Sequence, residues 1–379
     1  MKILIIGAKL QGIEAIYLAK HAKYEVTVID KNATAPGMNL ADYSIVADIF
    51  DFDAVKDEFN KTDIILPAIE NIDVINKIFE IALLYKKKVI FDRNAYKISN
   101  SKELSNEMFR NLKLPMPNDY PECKFPVVLK PDGLSGSAGV IKAYSKKEVE
   151  EYLIHNAGQQ TVIQEFLDGR SYSLEVLGNG QQYFPVQITE VVVDDDYDCK
   201  RIIAPAVISD DLKSQMFDLG NKLAEAIKIN GIFDIEVIDD NGTLKLLEID
   251  ARLPSQTPIS VYHSTGINML ELLVNIFSTD DISEITNDVI RTCEKESLFC
   301  YYQQVEVKDG NVKLKGEHIM GNCKKLYFRN NFFGADEAIT DYDLNNKDWK
   351  AIVIITRPTQ KEACEAFDDF VRQVSLQGR

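Results

Sequence analysis

The stretch from Leu244 to Pro258, LKLLEIDARLPSQTP, combines apolar residues with a regular pattern of charge. In a β-strand, side chains two residues apart share a face, so Glu248, Asp250 and Arg252 would project together, with the apolar residues between them pointing the other way. A half-solvated strand with a polar outer face has this pattern. Two acids beside an arginine also suit a site for cations and phosphates, so the rest of the chain must discriminate between these readings.

A second acidic strand precedes this one, across an Asp-Asn-Gly turn signal centred on Asn241. Asp234 and Glu236 share a face of that strand, and an odd-length turn would bring this face beside Glu248 and Asp250. Like charges on neighbouring strands destabilise a sheet, but a bound Mg²⁺ would reverse the sign of the effect. The hairpin therefore predicts a magnesium site. Calcium is less suited, because no loop spaces the oxygen ligands of its larger shell.

Length and composition narrow the class of protein. The chain has 379 residues, which favours two or three domains over a single core. Its 43 Lys and Arg against 59 Asp and Glu give a net charge of −16, which argues against a protein that coats nucleic acid or anionic membranes. The six cysteines form no CxxC pair, and no apolar run reaches membrane-spanning length. We expect a cytoplasmic protein with reduced thiols, without a nucleic-acid or membrane partner.

The first 96 residues alternate strand and helix signals, which predicts a Rossmann-like parallel sheet. The loop after the first strand, IIGAKLQG, has Lys9 where a dinucleotide-binding loop needs its middle glycine. An NAD(P)-dependent oxidoreductase is therefore only an alternative, although Asp30 ends the second strand in the manner of a ribose-binding acid. The predicted elements are strands at Ile3–Ile6, Val26–Ile29, Ile64–Leu66 and Lys88–Phe91, with helices at 12–22 and 71–85.

A proline-dense passage, PMPNDYP, precedes a different pattern of short strands and tight turns. It predicts a small α+β module within residues 97–177, followed by a larger region of strands and helices over residues 178–379. The predicted elements are strands at Val127–Lys130, Val140–Ala143 and Thr161–Phe166, a helix from Lys146, and a helix over 210–228.

Two segments within residues 97–177 could bind a nucleotide. Lys130 ends a strand directly before a loop that contains Ser135, Gly136, Ser137 and Gly139, and glycine-rich backbone can close on phosphates while a lysine supplies charge. An ordinary long hairpin turn is the alternative, and no GxxxxGK[ST] motif occurs. The segment QEFLDG then breaks two strands, either as a simple bend or as a hinge whose backbone edge pairs with adenine.

Taken in order, these motifs resemble the ATP-grasp superfamily of carboxylate-amine ligases. The ordered set is a βα domain, Lys102 before a helix, Lys130 before its loop, QEFLDG, DIEV and EIDARLPSQTP, and it covers most of residues 1–275. Within the superfamily, the segments GAKLQGIEAIYLAK, DYDCKR and EIDARLPSQTPISVYHSTGINMLELL are similar to the ligases of pyrrolysine biosynthesis. Those ligases join 3-methyl-D-ornithine to the ε-amine of L-lysine.

The resemblance implies an α/β and α+β fold, with a Rossmann-like domain, a lid and a catalytic domain. It also implies an enzyme that uses ATP and Mg²⁺ to make an amide through an acyl phosphate, from 3-methyl-D-ornithine or D-ornithine and L-lysine. The nearest alternative is another ATP-grasp ligase, such as one joining two D-amino acids, and a catalytically silent nucleotide sensor is a further one.

The resemblance assigns roles to individual residues of the nucleotide and metal sites. Arg252 falls on the arginine that steadies the transferred phosphoryl group, and with Lys130 it makes up the predicted catalytic pair. ATP would be bound by Lys102, Lys130, Ser137, Gln164, Glu165, Phe166 and Leu167, and magnesium by Glu236, Glu248 and Asp250.

Substrate contacts are implied in the same way. Glu175 would receive the amine of the ornithine-like substrate, with a surface salt bridge as the structural alternative. Glu70 would contact the second substrate, with a helix N-terminal acid as the alternative. The full predicted set is Glu70, Ser173, Glu175, Asp234, Arg252 and Ser255, with Gln256 and Thr257 as neighbours.

Overall fold

The N-terminal part is a five-stranded parallel sheet in the order β3-β2-β1-β4-β5. Residues Ile3 to Ile6 alternate between two buried apolar clusters, as expected for a sheet covered by helices on both faces. The predicted Rossmann-like sheet is confirmed. Its elements are β1 (Lys2–Ile6), α1 (Leu10–His21), β2 (Glu25–Asp30), β3 (Tyr43–Val46), α2 (Phe52–Lys61), β4 (Ile64–Pro67), α3 (Ile72–Leu84), β5 (Lys88–Val89) and α4 (Arg93–Ser99).

A three-stranded antiparallel sheet in the order β7-β6-β8 follows, with a small apolar core of its own. The computed structural model describes residues 1–133, 139–293, 295 and 297–377. The predicted phosphate loop with Ser135, Gly136 and Ser137 lies outside the described residues. The elements of this part are α5 (Lys102–Asn111), β6 (Val127–Pro131), β7 (Ile141–Ala143), α6 (Lys146–His155) and β8 (Thr161–Glu165).

The remainder of the chain is built on a ten-stranded antiparallel sheet in the order β13-β12-β9-β10-β11-β14-β18-β17-β16, with β15 beside β14. Its elements are β9 (Ser171–Asn179), β10 (Tyr183–Val193), β11 (Cys199–Ala204), α7 (Asp210–Ile227), β12 (Asn230–Asp240), β13 (Thr243–Asp250), α8 (Thr257–Thr265), α9 (Met269–Ile276), α10 (Ser283–Cys293), β14 (Phe299–Lys308), β15 (Asn311–Leu314), β16 (Tyr327–Phe332), β17 (Ala335–Thr340), β18 (Trp349–Arg357) and α11 (Gln360–Gln377). A 3-10 turn, Glu317–Asn322, lies between β15 and β16.

Strand β9 crosses the predicted domain boundary at residue 177 and pairs with β10 and β12 of the large sheet. The boundaries 1–96, 97–177 and 178–379 stay predictions. Among the described residues, no helix combines the length and apolarity needed to span a bilayer.

The hairpin of β12 and β13 brings the predicted acids together. Asp234 pairs with Asp250 and Glu236 pairs with Glu248, so all four carboxyl groups share one face of the sheet. Next to them on β9, Glu175 pairs with Asp234. The acidic face predicted from two-residue periodicity is therefore confirmed.

The turn of this hairpin differs from the predicted one. Asp240 pairs with Thr243, so the turn contains only Asn241 and Gly242, both with positive φ as a tight hairpin favours. The predicted odd-length turn is wrong. The odd residue is Leu247, which forms a β-bulge further along β13 and moves the acids that follow it onto the face of Glu236 and Asp234.

Helix α1 of the N-terminal part is fastened to the large sheet region by buried polar contacts. The Glu14 carboxylate accepts the backbone N–H of Ile259 at 2.6 Å, near the start of α8. The Tyr17 hydroxyl donates to Glu337 at 2.7 Å and lies 2.7 Å from Nε2 of His263. These contacts fix the two parts on either side of a cavity.

Candidate active site

A cavity of about 850 Å³ lies between the N-terminal sheet and the large sheet. On one side it is lined by Lys9 and Glu70, which follow β1 and β4, and by Asp30, the last residue of β2. Ligands of parallel α/β sheets bind outside these carboxyl ends. On the other side it is lined by the acidic face of β12 and β13. The cavity therefore joins the predicted ligand edge of one domain to the predicted metal site of the other.

The acids of the hairpin destabilise one another's charged forms. Burial raises the pKa of Glu236, and the neighbouring charges of Glu248 and Asp250 raise it further. Burial also raises the pKa of Asp250 and of Asp234, although Arg252 opposes the shift in both cases. A site of this kind favours a cation, because positive charge would offset the repulsion.

Arg252 is surrounded by three carboxylates. Its Nε lies 2.8 Å from Oε1 of Glu70, its Nη2 lies 2.9 Å from Oδ2 of Asp250, and its Nη1 lies 3.8 Å from Oδ1 of Asp234. Glu70 also accepts a hydrogen bond from the Gln11 amide. This set of contacts holds a planar guanidinium in a fixed orientation beside the cavity.

Two lysines, one on helix α5 and one on strand β6 of the small sheet, approach the acidic face. Lys102 begins α5, and its Nζ lies 3.3 Å from Oε2 of Glu248. Burial lowers the pKa of Lys130, with Glu248 raising it and Lys102 lowering it. The predicted phosphate-binding lysines thus lie in the field of a predicted metal ligand.

These carboxylates are better suited to bind magnesium together with a nucleotide than to bind a metal ion by protein ligands alone. In the described part of the chain, no group of three or more His, Cys, Asp or Glu side chains is arranged to hold a metal ion. Magnesium commonly uses one or two carboxylates and completes its octahedral shell with water and phosphate oxygens. The paired carboxyls Glu236 and Glu248 fit this role.

The predicted adenine hinge is tied to the large sheet. The Glu165 carboxylate accepts from the backbone and side-chain N–H groups of Asn118, both at 2.9 Å, and lies 2.7 Å from Nζ of Lys245. Its side chain is therefore engaged by the protein. Gln164 is buried, Leu167 is half-buried, and the ring of Phe166 lies 3.3 Å from Nζ of Lys142.

A group of buried polar atoms lies beside the acidic face. Glu175 is fully buried, and neither of its carboxyl oxygens has a hydrogen-bond partner among the described residues. Burial raises its pKa to about 7, and the nearby hydroxyls of Thr257 and Ser173 oppose the shift. The alternative of a surface salt bridge is wrong. Buried atoms without a hydrogen-bond partner among the described residues also include Ser173 Oγ, Thr257 Oγ1 and Asp234 Oδ1, the last of which takes part in the ion pair with Arg252.

Such atoms are rare in protein interiors, because an unmade hydrogen bond in a buried place costs about 1–3 kcal/mol. Ser173, Asp234 and Thr257 line the cavity. A bound ligand with amine groups would satisfy them.

Sequence reasoning missed several residues of the cavity. Ser255 was predicted, and its Oγ donates to Oε2 of Glu317 at 2.9 Å, but Glu317, His318 and Asp198 were not foreseen. They belong to segments far apart in sequence; Asp198 lies within DYDCKR, which was noted only for its resemblance, and no local motif marks Glu317 or His318. The acid at Asp30, which resembled a ribose ligand, instead accepts the backbone N–H groups of Ala8 and Asn32.

Comparison with known proteins agrees with this architecture. The ATP-grasp domain family matches residues 99–256. Over its full length, the fold is similar to that of the biotin carboxylase domain of Hydrogenobacter thermophilus 2-oxoglutarate carboxylase, crystallised with MgADP, ADP and bicarbonate. The TM-score is 0.74 at 14% identity, covering 97% of this chain and 88% of that one. The fold is that of ATP-grasp proteins.

Two relatives are much closer in sequence. The 3-methyl-D-ornithine–L-lysine ligase of Methanosarcina mazei is 36% identical over 333 residues, covering 86% of this chain and 84% of the relative. The ligase of the same name from Methanosarcina barkeri is 34% identical over 325 residues, covering 84% and 83%. The chain belongs to the same family as these ligases.

Proposed function

We propose that the protein is an ATP-dependent ligase of pyrrolysine biosynthesis. It activates the carboxylate of 3-methyl-D-ornithine, or of D-ornithine, and joins it to the ε-amine of L-lysine. The single observation that supports this most is the meeting of Lys102, Lys130 and Arg252 with the paired acids of β12 and β13 beside one cavity. The names of the relatives give the substrates.

The reaction follows from the weakness of a carboxylate as an acyl donor. Attack of its oxygen on the terminal phosphorus of ATP forms an acyl phosphate and releases ADP. The lysine amine then attacks the acyl carbon, the amide bond forms, and inorganic phosphate leaves with the bridging oxygen. No side-chain nucleophile is needed, so catalysis consists of positioning and charge neutralisation.

The charged residues have distinct tasks in this scheme. Lys102 and Lys130 bind phosphate oxygens, and the guanidinium of Arg252 faces the phosphoryl group that is transferred. Magnesium, held by Glu236, Glu248 and Asp250, would neutralise phosphate charge when the nucleotide is bound. Ser137 would cover the phosphates, and the backbone of residues 164–167 would border adenine.

The ornithine-like substrate carries ammonium groups, and the buried acids can receive them. Among the described residues, Glu175 has no hydrogen-bond partner, and Ser173, Thr257 and Asp234 lie beside it as further acceptors. Pairing with an ammonium would offset the cost of burying this carboxyl group. Glu70 and Ser255 stay predicted contacts of the substrates, and the cytoplasmic location stays a prediction.

The test is a labelled reaction with purified protein, MgATP, L-lysine and D-ornithine whose carboxylate carries ¹⁸O. The expected products are ADP, an Nε-acylated lysine, and inorganic phosphate that contains ¹⁸O from the carboxylate. A D-amino acid dipeptide would overturn the substrate assignment. Absence of ADP formation, with tight binding of NAD(H), would overturn the ligase itself.

A further inference from the structure

The cavity contains a second charged group, formed by the 3-10 turn Glu317–Asn322 and the loop that joins β10 to β11. Glu317, His318 and Asp198 all line the cavity. Nothing in the phosphoryl-transfer scheme uses them. They are nevertheless continuous with the proposed site, because Ser255 lies three residues after Arg252 and donates to Glu317.

Among the described residues, Glu317 forms no ion pair with a Lys or Arg, although the charges of His318 and Arg252 oppose the rise in its pKa that burial causes. Its carboxylate accepts the Ser255 hydroxyl, and no Lys or Arg among the described residues lies within ion-pair distance of it. Burial raises its pKa, with the Ser255 hydrogen bond opposing the shift. An ammonium group of a ligand would supply the missing positive charge.

His318 beside it has the opposite character. Its Nδ1 lies 2.8 Å from Oδ2 of Asp198, so that carboxylate orients the ring and favours the imidazolium. The hydrogen bond and the charge of Asp198 raise the pKa of His318. Since Nδ1 is held by Asp198, Nε2 is the nitrogen left to donate to a ligand anion.

The two segments are held in a fixed relation. The Asp194 carboxylate accepts the backbone N–H of Gly316 at 3.0 Å, and the Asp198 carboxylate accepts that of His318 at 3.0 Å. A Cβ at residue 316 would collide with the Asp198 side chain. The carboxyl acceptor and the imidazole donor are therefore preorganised, as a recognition site requires.

An adjacent anion and cation are what the α-ammonium and α-carboxylate groups of an amino acid require. The acceptor amino acid of the proposed reaction has these groups at one end and its reacting amine at the other, separated by a four-carbon stem. The unpartnered hydroxyl of Thr257 also lines the cavity, two residues from Ser255. The charged pair, Thr257 and the acidic face of β12 and β13 thus line the same cavity.

Resting on the proposed ligase function, we infer that Glu317 and His318 bind the α-ammonium and α-carboxylate of the acceptor amino acid, with Asp198 as a positioning residue for His318. The C-terminal part of the chain thereby selects the acceptor, and the hairpin of β12 and β13 activates the donor.

The test uses Glu317→Gln and His318→Leu in the full chain, with initial rates measured against each substrate. We expect the KM for L-lysine to rise about tenfold or more, as loss of a charged hydrogen bond implies, while the KM values for ATP and D-ornithine change less than about twofold. His155→Leu, an exposed histidine on α6, is the matched control.

L-norleucine serves as a probe, because it has the α-groups of lysine and lacks the ε-amine. It should inhibit wild type competitively against L-lysine, and its Ki should rise in both variants by the same factor as the lysine KM. Absence of inhibition in wild type, unchanged Ki in the variants, or a selective rise in the KM for D-ornithine would each overturn the inference.

Should a variant fold poorly, the maximal rate would fall at saturating concentrations of every substrate. Asp198→Asn then supplies the second measurement, because it keeps a hydrogen-bond acceptor for Nδ1 and removes only the charge. It should raise the lysine KM by less than His318→Leu does, and an unchanged lysine KM would contradict the role of Asp198. Failure of the ligase proposal is separate, since wild type would then release no ADP with L-lysine and D-ornithine.

Discussion

Asp234 lies directly across from Asp250 on neighbouring strands, and both carboxylates point to the guanidinium of Arg252. The arginine neutralises a pair that would otherwise repel, and the pair in turn fixes the arginine. Glu70 from the N-terminal part completes the enclosure at 2.8 Å. One side chain thereby couples the two halves of the cavity.

Because Arg252 makes these contacts, we expect activity to fall even when the positive charge at this position is kept. Arg252→Lys retains a cation but cannot contact three carboxylates in a planar fork, so we expect kcat/KM to fall about a hundredfold or more. Steady-state kinetics measure it. Arg357→Lys, whose partner is Asp336 at 2.9 Å outside the cavity, is the control and should behave as wild type. Near-normal kinetics for Arg252→Lys would contradict the proposed role.

Glu248→Gln tests the metal site. Removing one carboxylate charge weakens the binding of Mg²⁺ beside the phosphates of ATP. Turnover should therefore fall more than about a hundredfold, while the affinity for ATP changes less than about tenfold. Calorimetry with and without EDTA, together with ADP release, separates the two effects. Glu306→Gln on β14 is the matched control, since its partner is Lys308. Equal loss of binding and turnover would speak against a catalytic metal here.

Lys245 links the hairpin to the nucleotide hinge. Its Nζ lies 2.7 Å from Glu165 and 2.8 Å from Asp240, in a half-buried place. Lys245→Gln should raise the KM for ATP several-fold and leave the KM for L-lysine unchanged, because only the hinge loses its support. Nucleotide and lysine titrations of the rate provide the measurement. An exposed lysine of α7, Lys222, gives the control substitution. A change confined to the lysine KM would refute this view of the hinge.

Glu14 predicts a pH dependence of stability. Burial raises its pKa to about 8 from an ordinary value of 4.5, with the N–H groups of Ile259 and Gln256 opposing the shift. Between these pH values the folded state binds more protons than the unfolded state, so stability falls as pH rises. Glu14→Gln does not titrate and keeps an acceptor for Ile259. Its stability relative to wild type should therefore increase from pH 5 to pH 8.5.

The free energy of unfolding of Glu14→Gln, relative to wild type, should increase by a few kcal/mol at most, at roughly 1.4 kcal/mol for each unit of pKa. Urea denaturation at the two pH values measures it. Glu58→Gln on the surface of α2, where Glu58 pairs with Lys61, should show a constant difference from wild type. The same constant difference for Glu14→Gln would disprove the assignment.

Local patterns predicted those parts of the fold that local physics determines. The parallel sheet followed from apolar runs with helical spacing between them, and the lid strands from short β-patterns with turns. The acidic face of Asp234, Glu236, Glu248 and Asp250 followed from two-residue periodicity. The register of the hairpin could not be predicted in this way. The two-residue turn alone would have placed Glu248 and Asp250 on the face opposite to Asp234 and Glu236, and the bulge at Leu247, which depends on which face packs on the core, reverses this.

Contacts between distant segments were beyond such reasoning. Nothing near Glu317 or Asp198 in the sequence indicates that a 3-10 turn and a hairpin loop meet beside Ser255. The same holds for Glu14, an acid inside an otherwise apolar helix face, whose partner is Ile259. Pairings of this kind depend on the packing of whole domains, which periodicity within a single element does not contain.

Gly169 joins the small sheet to the large one where a side chain would strike the carbonyl of Asp239, and the next residue, Arg170, accepts the N–H of Asp239. This backbone hydrogen bond adds to the ion pair of Glu165 with Lys245, which also connects the two sheets. A bulkier residue at position 169 would therefore displace the small sheet relative to the large one, and with it the predicted adenine hinge that lies between them.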